Sequence, residues 1–326
     1  MAPPLPAPAL VDRFRADLAA LGPAETPLGI AYSGGPDSLA LLLLAAAAFP
    51  GAVRAATVDH GLREGSAAEA ALAGRICEAL GVPHSTLSVA VAAGASVQAL
   101  AREARYQALS AWMSVHSVPT LLTAHHLDDQ AETLLMRLLR GTGVAGLAGI
   151  RACRSLGEAR LLRPLLGWRR AELAQVAAAS GLAFAADPSN RDEAFDRVRI
   201  RRLLGEAPWI DPVPLARCAA ALADAEEAIA AMSERCFARA VEEQDGYLLL
   251  KPAGLPAEIR RRLLIACLHF HVPEARPRGD QIGALLSALE AGGTMTLAGV
   301  RFGAAASGWR VSPAPPRRLA AEGKQP

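Results

Sequence analysis

The sequence predicts an α/β protein: a Rossmann-like, doubly wound parallel sheet, followed by a linker helix and a small α+β C-terminal domain. Two observations lead to this prediction. Short apolar runs that suit buried strands alternate with longer runs at helical spacing along the first two thirds of the chain. A glycine- and serine-rich turn joins the first of these strands to the helix after it. The chain has 326 residues, enough for two domains and a short tail.

The elements are predicted in order along the chain. Strands are expected at 28–32, 52–58, 82–91, 120–124 and 160–166, and helices at 11–21, 39–48, 66–80, 96–116 and 169–181. An alanine-rich helix follows from 212, and then a strand at 247–251, helices at 256–271 and 278–291, and one hairpin made of 295–302 and 307–311. The expected domains are 1–211, a helical linker at 212–245, a compact domain at 246–315 and a disordered tail at 316–326.

The turn after the first strand carries the strongest functional signal. It consists of Ser33, Gly34, Gly35, Pro36, Asp37 and Ser38. Glycines allow close approach to a ligand, while N–H groups at a helix N-terminus and serine hydroxyls can donate to phosphate oxygens. A carboxylate at this place repels phosphate unless a cation lies between them, so Asp37 predicts a bridging Mg²⁺. The simpler alternative is a capped helix after a Gly-Gly turn.

A second polar stretch follows the fourth predicted strand. If a helix begins near His126, then His125, Asp129 and Glu132 share one face, and Asp128 points about 100° away. This predicts an acid and an imidazole at the end of the strand. Zinc binding and a capped helix start with acids near its positive end are the alternatives.

Two further stretches are expected near these residues. Loops after the C-terminal ends of parallel strands line the ligand crevice, so Asp59, His60 and Arg63 are expected close to Ser33. The glycine-rich segment 140–150 is expected to be an ordered loop against a ligand, and not a helix.

Basic residues are almost all arginine. Lys and Arg number 34 against 32 Asp and Glu, so no strong overall attraction to nucleic acid is expected, and only two of the 34 are lysines. Arginine is the better phosphate partner, although a high-GC genome would give the same bias. The densest patch is predicted on one helix, where pairs of side chains could anchor to acids or reach phosphates: Arg197, Arg199, Arg201 and Arg202.

Cysteine usage and hydropathy bear on location. The five cysteines form no Cys-x-x-Cys pair, which indicates a reduced protein without a structural zinc or iron–sulfur site. Cys77, Cys153 and Cys267 are expected to pack inside the fold. No uncharged run is long enough for a membrane span, and the Pro- and Ala-rich start lacks the basic flank of a signal peptide. We therefore expect a cytoplasmic protein.

Six motifs together resemble the bacterial tRNA(Ile)-lysidine synthetase family of the PP-loop ATP pyrophosphatases. They lie at 33–38, 58–63, 101–106, 123–133, 136–143 and 187–190, within a resemblance that covers about residues 28–204. The resemblance implies the PP-loop ATPase fold, with 1–211 as the catalytic domain and 246–315 as a tRNA-binding domain. Longer members carry a second C-terminal domain for which this chain is too short, so the tRNA body is expected to be held without it.

The resemblance also implies a reaction. ATP adenylates the 2-oxygen of the wobble cytidine in the CAU anticodon of isoleucine tRNA, and the side-chain amine of L-lysine then displaces AMP. Mg²⁺ with Asp37 would neutralise the leaving pyrophosphate. Because the lysine amine is protonated in water, it needs a proton acceptor, for which Asp129 with His125 is the candidate.

The implied site residues form three sets. The catalytic set is Asp37, His125, Asp129 and Arg105. The ATP-binding set is Ser33, Gly34, Gly35, Pro36, Asp37, Ser38, Val58, His60 and Gly143. The set for tRNA or substrate is Arg63, Arg102, Glu132, Arg140, Asn190, Arg197, Arg199, Arg201 and Arg202. ATP and Mg²⁺ are the expected cofactors, tRNA(Ile) and L-lysine the partners, and a homodimer is one expected assembly.

Three other functions fit parts of the sequence. A PP-loop tRNA cytidine thiolase shares much of the motif set, but it needs paired cysteines to carry sulfur or a cluster. An amide-forming relative would bring a glutamine-hydrolysing segment, which the sequence lacks. A nucleotide-sensing module without turnover would explain the turn at Ser33 alone and would leave the arginine patch unexplained.

Overall fold

The computed structural model describes residues 3–59, 61, 65–89, 97–185 and 196–315. They form two compact units, Met1–Asp224 and Ala225–Pro326. The first contains a six-stranded sheet in the order β3-β2-β1-β4-β6-β5. Its strands are β1 (Leu28–Ala31), β2 (Val53–Asp59), β3 (His84–Ser88), β4 (Thr120–Leu122), β5 (Cys153–Leu156) and β6 (Ala159–Leu162). Its helices are α1 (Pro8–Ala20), α2 (Pro36–Ala48), α3 (Ser66–Ala79), α4 (Val97–Val115), α5 (Leu127–Leu139), α6 (Val144–Leu147), α7 (Arg170–Ala179) and α8 (Asp196–Glu206).

The sheet is parallel except at one edge, and helices cover both of its faces. Strands β1 to β4 and β6 pair in parallel, whereas β5 pairs antiparallel with β6. Neighbouring residues on a strand contribute to two different cores, since Leu121 packs in one and Leu122 in the other. Helix α2 is buried along most of its length, which suits its unbroken apolar sequence. The predicted doubly wound fold is confirmed.

Two short elements of the first unit differ from the sequence prediction. Strand β5 was not predicted, because it is an exposed edge strand whose sequence lacks the apolar signal of a buried one. Its Cys153 is therefore exposed and not packed inside, whereas Cys77 is buried as expected. The glycine-rich segment contains one helical turn, α6, where only a loop was expected. Gln130 fixes the end of this segment, since its side chain donates to Ile150 O at 2.8 Å and accepts from Ile150 N at 2.6 Å.

The second unit contains a five-stranded antiparallel sheet in the order β7-β8-β11-β10-β9. Helices α10 and α11 pack on one face of this sheet, around Phe302 and Trp309. Helix α9 (Pro212–Ala240) begins in the first unit and ends in the second. The remaining elements are β7 (Val241–Gln244), β8 (Tyr247–Leu250), α10 (Ala257–His271), α11 (Gly279–Glu290), β9 (Thr294–Leu297), β10 (Val300–Ala305) and β11 (Gly308–Pro313).

The single hairpin predicted after α11 is in fact a three-stranded meander. The run 295–302 divides at Ala298 and Gly299, both with positive φ (48° and 80°), which is the geometry of a tight hairpin turn. Strand β7 was also missed, because its polar edge sequence continues the pattern of the preceding helix. The second unit starts at Ala225, within α9, and Cys236 and Phe237 of this helix pack against its core. The division into a linker at 212–245 and a domain at 246–315 stays a prediction. Among the described residues, no helix is both long and apolar enough to cross a bilayer.

Candidate active site

The turn between β1 and α2 forms one wall of the candidate site. Gly34 has a φ of 81°, and a Cβ added there would meet Ala185 only at an ordinary 3.7 Å, so the backbone conformation is what requires glycine. Ser38 Oγ donates to Gly35 O at 3.0 Å and accepts from Ser33 N at 3.2 Å. The buried Ser38 hydroxyl therefore stabilises the turn itself.

Backbone donors line the same turn. Gly35 is the N-cap of α2, and Pro36 starts the helix, where its missing N–H is not needed. Four N–H groups have no hydrogen-bond partner among the described residues, namely those of Gly34, Gly35, Asp37 and Ser38. Together with the positive end of the helix dipole, they form a suitable site for phosphate oxygens.

The carboxylate of Asp37 lies inside this wall. Its Oδ1 is buried and, within the described part of the chain, has no hydrogen-bond partner, while Oδ2 lies 3.6 Å from Nε2 of His126. A buried carboxylate oxygen without a donor is unfavourable unless a cation binds it, so this oxygen fits Mg²⁺. No three His, Cys, Asp or Glu side chains of the described residues converge as a metal site. Asp37 would therefore share the ion with phosphate oxygens and water.

His126 joins Asp37 to helix α5. It is the N-cap of α5: its Nδ1 accepts from Asp129 N at 3.3 Å, and its N donates to Asp129 Oδ2 at 3.1 Å. Because Nδ1 accepts, the ring proton lies on Nε2, which is 3.6 Å from both carboxylates. Burial alone would lower the pKa of His126, but the nearby carboxylates of Asp37, Asp129 and Asp128 raise it. The sequence predicted His125 as the imidazole beside the acids, and in the structure that imidazole is His126.

The acids of α5 are braced by arginines of α8. Glu132 is 2% exposed and accepts from Arg197 Nε and Arg201 Nε, each at 2.7 Å. Arg197 also donates to Asp129 at 3.2 Å. Burial raises the pKa of Glu132, but the hydrogen bonds from Arg201 and Arg197 more than offset this and hold it below its usual value. For Asp129 burial prevails, and its pKa is raised, which makes it the better proton acceptor.

The other two arginines of α8 are exposed. Arg199 forms an ion pair with Asp196, which also pairs with Arg140, and Arg202 lies 3.3 Å from Glu206. Exposed ion pairs of this kind contribute little to stability. Arg140, Arg199 and Arg202 can therefore exchange these partners for phosphates.

His125 lies just after β4 and is held by other partners. Its Nδ1 is 3.0 Å from Thr123 Oγ1 and 3.3 Å from Arg163 Nε. Burial, followed by the positive charge of Arg163 and of further arginines, lowers the pKa of His125 to about 2. A ring with this pKa stays neutral at neutral pH, which argues against His125 as the base, and its role stays a prediction.

Guanidinium groups surround Tyr106 on α4. The Arg102 guanidinium carbon lies 5.3 Å from the centre of the Tyr106 ring, and that of Arg154 lies 4.4 Å from it. Arg163 faces the hydroxyl of the same tyrosine. Arg105 has no carboxylate partner among the described residues, and burial lowers the pKa of its guanidinium. These charges make the surroundings of Tyr106 positive, which suits anionic oxygens.

Of the remaining expected site residues, two are described by the structure and three are not. Val58 is half-buried near the end of β2, and Gly143 is the N-cap of α6. His60, Arg63 and Asn190 lie outside the residues that the structure describes.

Two residues of the site were not predicted from the sequence, His126 and Arg163. His126 was missed because the i,i+4 spacing of residues 125 and 129 was used to choose the imidazole, although residues 126 and 129, three apart, are also neighbours on a helix. Arg163 stands in the middle of the predicted strand 160–166, and its signal is a charge between two pairs of leucines.

A cavity of about 450 Å³ opens beside α5. Three carboxylates and three guanidinium groups line it: Asp128, Glu132, Asp211, Arg169, Arg170 and Arg201. Asp128 accepts from Arg170 N at 2.7 Å, while no described residue pairs with the Arg170 guanidinium. The cavity can hold a small ligand that carries charges of both signs.

Comparisons with known proteins agree with this geometry. A family model described as a PP-loop domain matches residues 11–207. The tRNA(Ile)-lysidine synthase of Novosphingobium aromaticivorans is 46% identical over 94% of this chain and 94% of its own. That of Zymomonas mobilis is 42% identical over 91% of this chain and 92% of its own.

A solved structure shares the fold. The U34-tRNA thiolase NcsA from Methanococcus maripaludis superposes with a TM-score of 0.55 at 16% identity, covering 68% of this chain and 78% of its own. At this identity the likeness concerns the fold alone. On the identities to the two synthases and the match of the PP-loop model, the chain belongs to the tRNA(Ile)-lysidine synthase family of ATP-using PP-loop enzymes.

Proposed function

We propose that this protein uses ATP to join L-lysine to the wobble cytidine of the CAU anticodon of isoleucine tRNA, releasing AMP and pyrophosphate. The observation that carries the proposal is the meeting of two half-sites at His126. A phosphate-binding turn with Asp37 lies on one side, and a buried carboxylate with a raised pKa, Asp129, lies on the other.

In the first step, the cytidine 2-oxygen attacks the α-phosphorus of ATP, and pyrophosphate leaves. The N–H groups of Gly34 to Ser38 would hold the phosphates, and Asp37 would hold Mg²⁺, whose charge neutralises the leaving group. In the second step, the side-chain amine of lysine attacks the activated carbon and AMP leaves. Asp129 would take the proton of that amine, because its raised pKa brings it closer to neutral pH.

The cavity beside α5 supports a site for lysine. Free lysine carries two ammonium groups and one carboxylate. Asp128 and Asp211 lie 3.5 and 3.4 Å from the Arg169 guanidinium and can also pair with the α-ammonium group, which leaves the side-chain amine for Asp129. The unpaired guanidinium of Arg170 can bind the carboxylate. Both oxygens of Glu132 are already used by arginines, so we assign it a bracing role.

For the C-terminal unit we propose tRNA binding on the open face of its sheet. Arg301 and Arg310 are exposed there and have no carboxylate partner among the described residues. The Arg310 guanidinium lies 4.0 Å from the ring centre of Tyr247, and Gly303 and Ser312 leave the space between the strands open. Cations beside an aromatic ring on a sheet suit phosphates and unstacked bases. The tRNA and ATP substrates make the cytoplasm the expected compartment, and a homodimer stays a prediction.

The test is direct. The protein is incubated with ATP, radiolabelled lysine and transcripts of several tRNAs, and label is expected only on the species with a CAU anticodon. Label on other tRNAs, or AMP formation that does not depend on tRNA and lysine, would contradict the proposal. Arg170→Met should raise the KM for lysine more than the KM for ATP.

A further inference from the structure

Arg163 is a buried cation without an acid. It is 3% exposed, and among the described residues no carboxylate pairs with it. Its guanidinium is nevertheless held in place. Nε donates to His125 Nδ1 at 3.3 Å, Nη1 donates to the backbone carbonyl of Arg151, and the group faces Tyr106. Burying a guanidinium without a carboxylate partner is unfavourable, so Arg163 is a candidate for a functional role.

The contact with His125 decides where the ring proton lies. A guanidinium has five N–H donors and no acceptor, so the atom that receives its Nε–H must carry a lone pair. Nδ1 of His125 is therefore unprotonated, and the single proton of the neutral ring is on Nε2. In this tautomer the Thr123 hydroxyl, 3.0 Å from the same Nδ1, shares that lone pair as a second donor.

The surroundings keep the ring neutral. The largest charge effects on His125 come from three parts of the fold and are positive: Arg163 just after β6, Arg197 on α8, and Arg102 and Arg105 on α4. A second proton would create an imidazolium among these guanidinium groups. Nε2 has no hydrogen-bond partner within the described residues, and the ring is half-buried, so this N–H is free for a ligand.

We propose that Arg163 is a positioning residue that holds His125 as the neutral Nε2–H tautomer, so that the ring donates a hydrogen bond to an anionic substrate oxygen and does not act as a base. The identity of that oxygen rests on the proposed function: it would be a phosphate oxygen or the cytidine 2-oxygen that loses and regains electron density as AMP is transferred. A neutral donor suits this task because it stabilises charge in both steps without releasing its own proton.

Three neighbouring residues then have separate roles. Asp129 accepts the proton, His126 links it to Asp37, and His125 serves as a fixed donor. Because a neutral ring does not titrate between about pH 5 and 8, His125 adds no acid limb to the pH profile of activity.

The first experiment reads the tautomer directly. The protein is labelled with ¹⁵N-histidine, and the ring resonances of its seven histidines are recorded without substrates from about pH 8 to pH 5. His125 is assigned as the signal missing in His125→Gln. We expect an unprotonated Nδ1 and a protonated Nε2 that do not change over this range. An Nδ1–H tautomer, or an imidazolium forming at about pH 6, would overturn the proposal.

The second experiment removes the donor. Arg163→Met keeps an unbranched apolar side chain of similar reach but no N–H. We expect mixed tautomers for His125 and a new acid limb in kcat/KM with an apparent pKa near the ordinary value of about 6.5. Arg160→Met is the matched control: this arginine lies on β6 and binds the carbonyls of Leu21 and Pro23, so its loss should leave the His125 spectrum unchanged.

Two substitutions of the ring itself complete the test. The side-chain amide of His125→Gln can place an N–H near the position of Nε2 and does not titrate, so we expect a loss in kcat of at most ~10-fold. His125→Asn is too short to do so and should lose about 10²-fold, the effect of removing one such donor. Equal losses in the two variants would contradict the proposal. The spectra need no substrate, so they test the tautomer of His125 even if the lysine-transfer assay fails.

Discussion

Replacing Glu132 with glutamine tests whether this residue braces the fold or binds substrate. The substitution keeps the shape of the side chain and removes its charge. Arg197 and Arg201 would then face a neutral amide in place of the carboxylate that each contacts at 2.7 Å.

The expected cost follows from burial. Removing one partner of a buried ion pair costs ~3–5 kcal/mol, because a charge is left without its partner. The side chains of Arg197 and Arg201 are 40% and 28% exposed, and Arg197 keeps Asp129, so both can partly regain water. We therefore expect the lower end, about 3 kcal/mol. For a unit of this size that corresponds to a fall in Tm of roughly 6–12 °C.

Thermal and urea unfolding of the full chain, followed by circular dichroism, measure this effect. Glu206→Gln is the control, since it removes an exposed partner of Arg202 and should change stability by less than ~0.5 kcal/mol. If Glu132→Gln destabilises the fold by less than ~1 kcal/mol but raises the KM for lysine or tRNA tenfold, Glu132 is a substrate contact and not a brace.

Four further predictions concern the reaction, the tRNA, the cysteines and pH. Asp37→Ala should stay folded and lose at least ~10²-fold in AMP formation, and near wild-type turnover would refute its role at the phosphates. In the double variant Arg199→Gln, Arg202→Gln, the slope of log binding constant for tRNA against log salt concentration should become shallower by about one unit for each phosphate that is no longer neutralised. An unchanged slope would show that neither arginine contacts RNA. A variant with all five cysteines changed to Ala or Ser should keep lysine transfer within ~10-fold of the wild-type rate. If this variant folds and binds ATP and tRNA but cannot modify the cytidine, the thiolase alternative is restored. Burial lowers the pKa of His84, so below about pH 6.5 the unfolded chain binds one more proton than the folded chain. The free energy of unfolding therefore falls as the pH drops. His84→Gln should make this fall shallower, as urea titrations at several pH values can show.

Elements whose signal is local could be predicted from the sequence. The apolar run of α2, the glycine with positive φ at position 34 and the buried strand before it were all visible, because chain conformation and burial depend there on neighbouring residues. The edge strands β5 and β7 were not visible, since pairing with a neighbouring strand creates them and their own side chains stay in water.

The roles of the charged residues depended on contacts between distant parts of the chain. Helix α5 begins at Leu127, one residue after the predicted start, so His126 caps the helix and lies beside Asp37. His125 stays at the strand end beside Arg163. Spacing along one helix shows which side chains share a face, but not which partner that face meets. The acids of α5 and the arginines of α8, more than 60 residues apart in sequence, find each other only in the folded chain, and their burial there sets which of them remain charged, paired or free to react.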